Sequence, residues 1–312
     1  MTFDSRPRVQ GDLSPVATAA SLPWPVLVHE IARVAVDPDV RVPARIVQPL
    51  PRGACLFVMP ANDARVAITK LISFTPANAG TGRPTIQGDV VVFDVTTGQR
   101  VCLLDGPTVT ARRTAAVSVL AAQRLAPCLQ GPLLIVGAGV QGRAHLEAFA
   151  ECLGVREVVI VSRSAASADT LAAHARAIGL RARVTADADA AMADCPLVVT
   201  CTPANGVVLR DLPGPAHFIA AVGAFTPAMV ELSPHLCHYV AMHGRVVVDT
   251  EDAAHEAGDL IQAGLDVTVY PTLAQVIVAD DDLAQDKGPV LFKSCGWAGW
   301  DLAAARLAAS AG

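Results

Sequence analysis

Leu133-Leu-Ile-Val-Gly-Ala-Gly-Val-Gln-Gly142 is the stretch on which the fold turns. Its four leading apolar residues read as a buried strand, and the glycines at G-x-G-x-x-G spacing read as the turn from that strand into a helix. The spacing alone says little in a chain with 23 glycines. Its setting says more: a helix is expected over 141–152, and Glu157-Val-Val-Ile-Val161 supplies a second strand, within the span of about 30 residues that a βαβ nucleotide site needs. Gly137 permits the tight turn, Gly139 lets the backbone approach a pyrophosphate, and Gly142 lets helix and strand pack closely. Backbone N–H groups of Val140, Gln141 and Gly142, at the positive end of the helix, complete a phosphate site. The loop therefore predicts a nicotinamide dinucleotide. An NAD site usually ends its second strand on an acid that binds the ribose 2′-OH; here Ser162-Arg163-Ser164 follows instead. Arginine pairs with a 2′-phosphate and serine donates to it, so NADPH is favoured and NADH stays an option.

Working outward, helices and strands alternate beyond the loop. Helices are expected over 166–178 and 188–193, and strands over 182–184, 197–200, 217–222 and 245–249. That alternation implies a doubly wound parallel sheet. Upstream the pattern differs. A helix broken at Pro23 and Pro25 covers 17–35, and strands follow over 54–59, 65–70, 89–94 and 100–105, the last two joined at Thr96-Thr97-Gly98. This reads as an antiparallel or mixed sheet. An Ala-rich helix is expected over 114–125, and another over 291–309. The fold class is thus α/β, a Rossmann-type sheet inserted in an α+β domain.

Hydrophobic residues make up 52% of the 312 and charged residues 17%, which suits a well-buried α/β protein. A net charge of −5 gives no reason to expect nucleic acid as a partner. No uncharged apolar run approaches the length of about 18 residues that suggests a membrane span, and residues 1–10 lack the apolar core of a signal peptide. A cytoplasmic protein with no membrane partner is expected. The eight cysteines form no C-x-x-C pair and no zinc rhythm, so they read as buried thiols and no metal is expected.

Several separated segments together resemble the ornithine cyclodeaminase/μ-crystallin family: Met59-Pro60-Ala61, Lys70, Pro84-Thr-Ile-Gln-Gly88, Leu104-Asp-Gly106, Thr110-Ala-Arg-Arg-Thr-Ala-Ala116, the glycine loop and Val222-Gly223. The resemblance runs from about residue 43 to the C-terminal helix. It implies a substrate and dimerisation domain over 1–115 plus 291–312, a nucleotide domain over 116–290, and a homodimer. It also implies that Arg45, Lys70 and Arg113 bind the carboxylate of an amino or imino acid, with Lys70 and Arg113 as the catalytic pair and Arg112 exposed. Guanidinium forks and an ammonium suit a planar carboxylate, and fixing it orients the adjacent carbon for hydride transfer. Thr114, Thr202, Val222, Gly223 and Ser294 join the expected cofactor contacts. The stretch Phe292-Lys-Ser-Cys-Gly-Trp-Ala-Gly-Trp-Asp301 matches the family's Gly-x-Ala-x-x-Asp segment, which passes the nicotinamide.

One departure redirects the substrate. Cyclodeaminases of the family carry Gly-Gly-Asp-x-Pro-Gly-Lys-x-Glu-Leu, whereas this chain reads Gly223-Ala-Phe-Thr-Pro-Ala-Met-Val-Glu-Leu232. Phe225 stands in place of the acid, and a phenyl ring can neither accept a proton nor steady a cationic amine. The Gly-Ala-Phe form is similar to the family's Δ1-pyrroline-2-carboxylate/Δ1-piperideine-2-carboxylate reductases, which implies a cyclic imino acid as substrate, with Phe225 against its ring. The alternatives are ornithine cyclodeamination, an alanine-dehydrogenase-like reaction on a linear 2-oxo acid, and a non-catalytic NADPH-binding protein of the μ-crystallin type.

Overall fold

The computed structural model describes residues 11–78, 81–203, 205–279 and 288–310; the signal-peptide reading of residues 1–10 lies outside them. The chain divides into two compact units, Met1–Arg113 with Trp297–Gly312, and Thr114–Gly296.

The first unit begins with β1 (Gly11–Asp12), α1 (Pro15–Ala20) and α2 (Trp24–Ala35). The strands β2 (Ile46–Pro49), β3 (Cys55–Asn62), β4 (Val66–Phe74), β5 (Ile86–Asp94) and β6 (Arg100–Asp105) follow. They form one mixed sheet in the order β1-β6-β5-β4-β3-β2, in which only β1 runs parallel to its neighbour. Asp63 closes the β3–β4 turn by accepting from the N–H of Arg65 (2.5 Å) and Val66 (2.7 Å). The C-terminal helix, Ala298–Ser310, packs on α2 and on the sheet. It is apolar on nearly every side and buried along its length, as a helix without a solvent face must be. Its two charged residues, Asp301 and Arg306, are the exceptions, and Arg306 is held by Asp63, by Asp37 (2.6 Å) and by Glu30 (3.5 Å). Alternation sets the two faces of the sheet. Val66, Ile68, Lys70 and Ile72 of β4 are buried on the helix side. By register, Ile46, Val58, Leu71, Val91 and Phe93 share the opposite face, where Ile46, Leu71 and Phe93 are exposed.

The helix expected over 114–125 is longer: α3 spans Gly106–Leu125. Gly106 and Pro107 look like breakers, but proline is tolerated in a first helical turn. Asp105 takes the capping role, accepting from Thr108 N–H at 2.8 Å.

The second unit continues with β7 (Leu133–Val136), α4 (Val140–Leu153), β8 (Glu157–Val161), α5 (Ala165–Ala177), β9 (Arg181–Thr185), α6 (Ala188–Met192) and β10 (Leu197–Thr200). Then come β11 (Asn205–Leu209), β12 (Phe218–Ala221), β13 (Val230–Leu232), α7 (Pro234–His243) and β14 (Arg245–Val248). The unit ends with α8 (Ala253–Glu256), α9 (Gly258–Gln262), α10 (Leu273–Ala279) and β15 (Val290–Lys293). Seven strands make a fully parallel sheet in the order β14-β15-β12-β10-β7-β8-β9. Every residue of β7, β10, β12 and β15 is buried, as parallel strands covered on both faces require. The order reverses between β7 and β10, the switch point at which doubly wound sheets take a dinucleotide.

The helix expected over 291–309 is corrected here. Val290–Lys293 is a strand inserted between β12 and β14, and the helix begins only at Ala298. A short apolar run is ambiguous between strand and helix. Gly296, at φ +93°, separates the two elements, and residues 291–296 accordingly lie in the second unit rather than the first. Among the described residues no helix is long and apolar enough to cross a membrane.

Candidate active site

The glycine loop leaves β7 with Gly137 at φ +123°, a conformation that side chains resist. A Cβ there would lie 2.7 Å from the Cys201 carbonyl oxygen, and one at Gly142 would lie 2.0 Å from that of Gly137. Gly139 differs: a Cβ there would meet nothing within 4 Å. Gly139 is also the N-cap of α4 and offers no side-chain cap. The loop thus has two glycines forced by close backbone contact and a third facing open space at a helix N-terminus. That arrangement fits a pyrophosphate. Val140 is exposed and Gln141 half-buried at the same turn. Below it, His145 Nδ1–H donates to the Gln141 carbonyl (2.8 Å), and Nε2, 2.9 Å from Ser118 Oγ, accepts. Burial brings His145 down to about 4, so this neutral ring steadies the first turn of α4. Thr114 is buried on α3, its carbonyl 3.2 Å from Ser118 Oγ.

At the end of β8, Arg163 is exposed and no acid stands among residues 162–164. Ser164 caps α5 by accepting from Ser167 N–H at 3.2 Å, and Ser162 Oγ accepts from Ser164 N–H at 3.3 Å. Two of the three residues expected to meet a 2′-phosphate therefore shape the helix entry, and Arg163, between them, is exposed.

The loops after β10 and β12 meet on Glu231 of β13. Its Oε1 accepts from Thr202 N–H (2.7 Å) and Oγ1–H (2.9 Å), and its Oε2 from Gly223 N–H (2.7 Å) and Thr200 Oγ1–H (3.0 Å). Thr202 and Gly223 are thus brought together through a residue whose sequence signal was only the Glu-Leu pair of the family segment. Val222 lies beside them, half-buried. Phe225 is half-buried against the apolar core of this unit. Ser294, beyond β15, donates to Asp249 Oδ2 (2.8 Å), which also accepts from Cys295 and Gly296 N–H.

In the first unit, Lys70 and Arg113 converge on one oxygen. Asp301 Oδ1 lies 3.0 Å from Lys70 Nζ and 3.2 Å from Arg113 Nε, and all three residues are buried. Burial brings Lys70 down to about 8, Asp301 opposing that shift and the charges of Arg113 and Arg45 adding to it. Arg45 is half-buried just before β2, near enough for its charge to be felt at Lys70. Among the described residues, two buried cations therefore share the one carboxylate of Asp301, an excess of positive charge that a ligand carboxylate would neutralise. Arg112 is not exposed as expected. It stacks on Trp24 with its guanidinium carbon 3.8 Å from the ring centroid, and its Nε donates to the Leu22 carbonyl at 2.9 Å. That contact anchors α3 to the start of α2. Asp301 was visible in the sequence only as the last residue of the Gly-x-Ala-x-x-Asp segment. Asp249 and Asp259 carried no signal at all.

Residues 28–310 match the ornithine cyclodeaminase/mu-crystallin family. The chain is 40% identical over 299 residues to Delta(1)-pyrroline-2-carboxylate reductase 1 of Burkholderia multivorans, covering 94% of this chain and 93% of that protein. It is 37% identical over 297 residues to the Delta(1)-pyrroline-2-carboxylate/Delta(1)-piperideine-2-carboxylate reductase of Azospirillum brasilense, with the same coverage of 94% and 93%. Among solved structures, the Delta(1)-pyrroline-2-carboxylate reductase of Thermococcus litoralis, in complex with NADH and L-proline, shares the fold. Its TM-score is 0.85 at 22% identity, over 93% of this chain and 94% of that one.

Proposed function

This chain belongs to the ornithine cyclodeaminase/mu-crystallin family, and from that premise we propose that it reduces the C=N bond of cyclic 2-imino carboxylates with NADPH. The substrates of this reading are Δ1-pyrroline-2-carboxylate, giving L-proline, and Δ1-piperideine-2-carboxylate, giving L-pipecolate. The observation that carries it is the pairing of two buried cations with one carboxylate: among the described residues, Lys70 and Arg113 share a single oxygen of Asp301. The names of the relatives at 40% and 37% identity support the same reaction class.

The residues divide the work. Arg45, Lys70 and Arg113 hold the substrate carboxylate and orient the imine carbon. Lys70, at about 8, is the member of the cluster able to hold and release a proton near neutral pH. Phe225 offers an apolar face to a flat ring, where an acid would be needed to manage a cationic amine. Gly137, Gly139, Val140, Gln141 and Gly142 take the pyrophosphate, and Arg163 takes the 2′-phosphate that favours NADPH. Thr114, Thr202, Val222, Gly223 and Ser294 complete the cofactor's surroundings in this reading, Ser162 and Ser164 acting by shaping the turn that presents Arg163. The bound cofactor supplies the hydride. A homodimer belongs to the same proposal, supported by the exposed apolar residues Ile46, Leu71 and Phe93 on one sheet face.

The test is oxidation of NADPH and of NADH by the purified protein with each imine, and a control with ornithine and NAD. Turnover with the imines, faster with NADPH, is expected. Activity confined to the ornithine control would replace the reading with cyclodeamination, and cofactor binding with no turnover on any imine would replace it with a binding protein.

A further inference from the structure

We propose that Glu231, Asp259 and Lys293 form a buried cluster with one negative charge in excess, which makes the second unit bind the oxidised nicotinamide ring in preference to the reduced one. The inference rests on the cofactor-binding part of the proposed function and is independent of the substrate.

The three groups are connected. Asp259 Oδ1 accepts from the backbone N–H of Glu231 (2.5 Å) and Leu232 (2.9 Å), and its Oδ2 lies 3.0 Å from Lys293 Nζ. Lys293 also donates to the carbonyls of Ala224 (2.5 Å) and Ala221 (3.3 Å). Lys293 and Glu231 have no exposed surface, and Asp259 is only 1% exposed. Two carboxylates face one ammonium, so the ammonium neutralises one of them. Asp249, likewise buried, meets the Ser294 hydroxyl and backbone N–H groups and no cation among the described residues.

Glu231 is the member with no ammonium in contact among the described residues, and its hydrogen-bond donors counter the rise that burial imposes. Backbone N–H groups reach both of its oxygens, from Thr202 and from Gly223, and these can only donate. Burial pushes Glu231 above the usual carboxylate range, while Lys293 and the Thr202 N–H oppose that rise. The approach is close enough to dictate the neighbouring residue: a Cβ on Gly223 would lie 2.5 Å from Glu231 Oε1 and 2.4 Å from the Thr202 carbonyl. A buried charge with no counter-ion of its own costs stability, and among the described residues Glu231 has none in contact, so its place beneath two strand ends calls for a role that bracing by a neutral residue would not fill.

The position supplies the role. β10 and β12 belong to the second mononucleotide-binding half of the doubly wound sheet, the half that receives the nicotinamide nucleotide when the first takes the adenine nucleotide. The reduced ring is neutral and the oxidised ring carries a positive charge. A fixed negative charge therefore stabilises the oxidised form, which favours loss of hydride from ring C4 to the imine carbon, with a proton going to the nitrogen. Where such a charge lies within about 10 Å of the ring, at an effective dielectric constant near 20, it shifts the equilibrium by about tenfold or more.

The experiment is calorimetric titration of the full chain with NADP+, NADPH, NAD+ and NADH, without imine, at mildly alkaline pH. The wild type is expected to bind the oxidised form of its cofactor at least as tightly as the reduced form. Glu231→Gln should raise the oxidised-to-reduced Kd ratio about tenfold, while Glu231→Asp, which keeps the charge and disturbs the bonds, should weaken both forms and leave the ratio unchanged. A wild type that strongly prefers the reduced form overturns the inference whatever the variants do. So does a Glu231→Gln ratio equal to that of the wild type, the outcome for a purely bracing role. Failure of the wild type to bind any of the four nucleotides would overturn the proposed function as well, a different result from an unchanged ratio.

Discussion

Asp301→Asn removes the one negative charge that Lys70 and Arg113 share. Asp301 is fully buried, and its Oδ1 lies 3.0 Å from Lys70 Nζ and 3.2 Å from Arg113 Nε. The variant leaves two buried cations side by side with an amide oxygen too weak to offset them. Removing one partner of a buried ion pair typically costs about 3–5 kcal/mol, so a clear fall in Tm is expected. The more specific consequence concerns Lys70. Burial has already brought it from 10.5 to about 8, and Asp301 is the strongest influence retaining its proton. Without Asp301 its pKa should fall further. For stability, the unfolded chain holds this proton more firmly than the folded one, so the destabilising contribution of Lys70 is full below pH 8. It fades as pH rises towards 10.5. For activity, the charged form grips the substrate carboxylate. The wild-type kcat/KM profile should be level below pH 8 and fall above it with the slope of a single proton, and in Asp301→Asn the break should move to lower pH. The assay is a pair of pH–rate profiles at saturating cofactor, with Tm measured across the same range. A folded variant with its break unmoved would refute the coupling of Asp301 to Lys70.

Two glycine variants separate packing from cofactor recognition. Gly142→Ala should lower both Tm and cofactor affinity, because its Cβ would lie 2.0 Å from the Gly137 carbonyl oxygen, whereas Gly139→Ala, with nothing within 4 Å, should keep its Tm and lose affinity in calorimetry. If Gly139→Ala binds as the wild type does, no phosphate approaches that backbone. Arg163→Ala should weaken NADPH binding about tenfold or more, the range of a lost charge-assisted bond of about 1.5–3 kcal/mol, and leave NADH unaffected; equal losses for both would remove Arg163 as the 2′-phosphate partner.

The second sheet was the most legible part of the molecule. Leu133–Val136, Glu157–Val161 and Leu197–Thr200 coincide with the strands expected, because short, largely apolar runs between turn signals have few alternatives in a βαβ series. Val290–Lys293 has the same character but adjoins an Ala-rich stretch, and periodicity could not divide strand from helix there. The cations of the first unit were legible from their motifs, and the loop glycines from their spacing. What bound them was not. Lys70 and Asp301 lie 231 positions apart, and no local pattern links residues at that range. Glu231 and Asp259 escaped notice for a related reason. Their work is to hold backbone N–H groups of other segments, a task determined by tertiary packing rather than by neighbours in the chain. Ser164 shows the converse, a hydroxyl suited by type to a phosphate that the fold employs as a helix cap.

Transfer of deuterium from C4-deuterated NADPH to Δ1-pyrroline-2-carboxylate, followed by mass spectrometry of the product, tests the central claim most directly. The account predicts L-proline carrying deuterium at C2, formed by the wild type and strongly reduced in Arg113→Ala. Product without deuterium, or no proline while the nucleotide is bound, would contradict it.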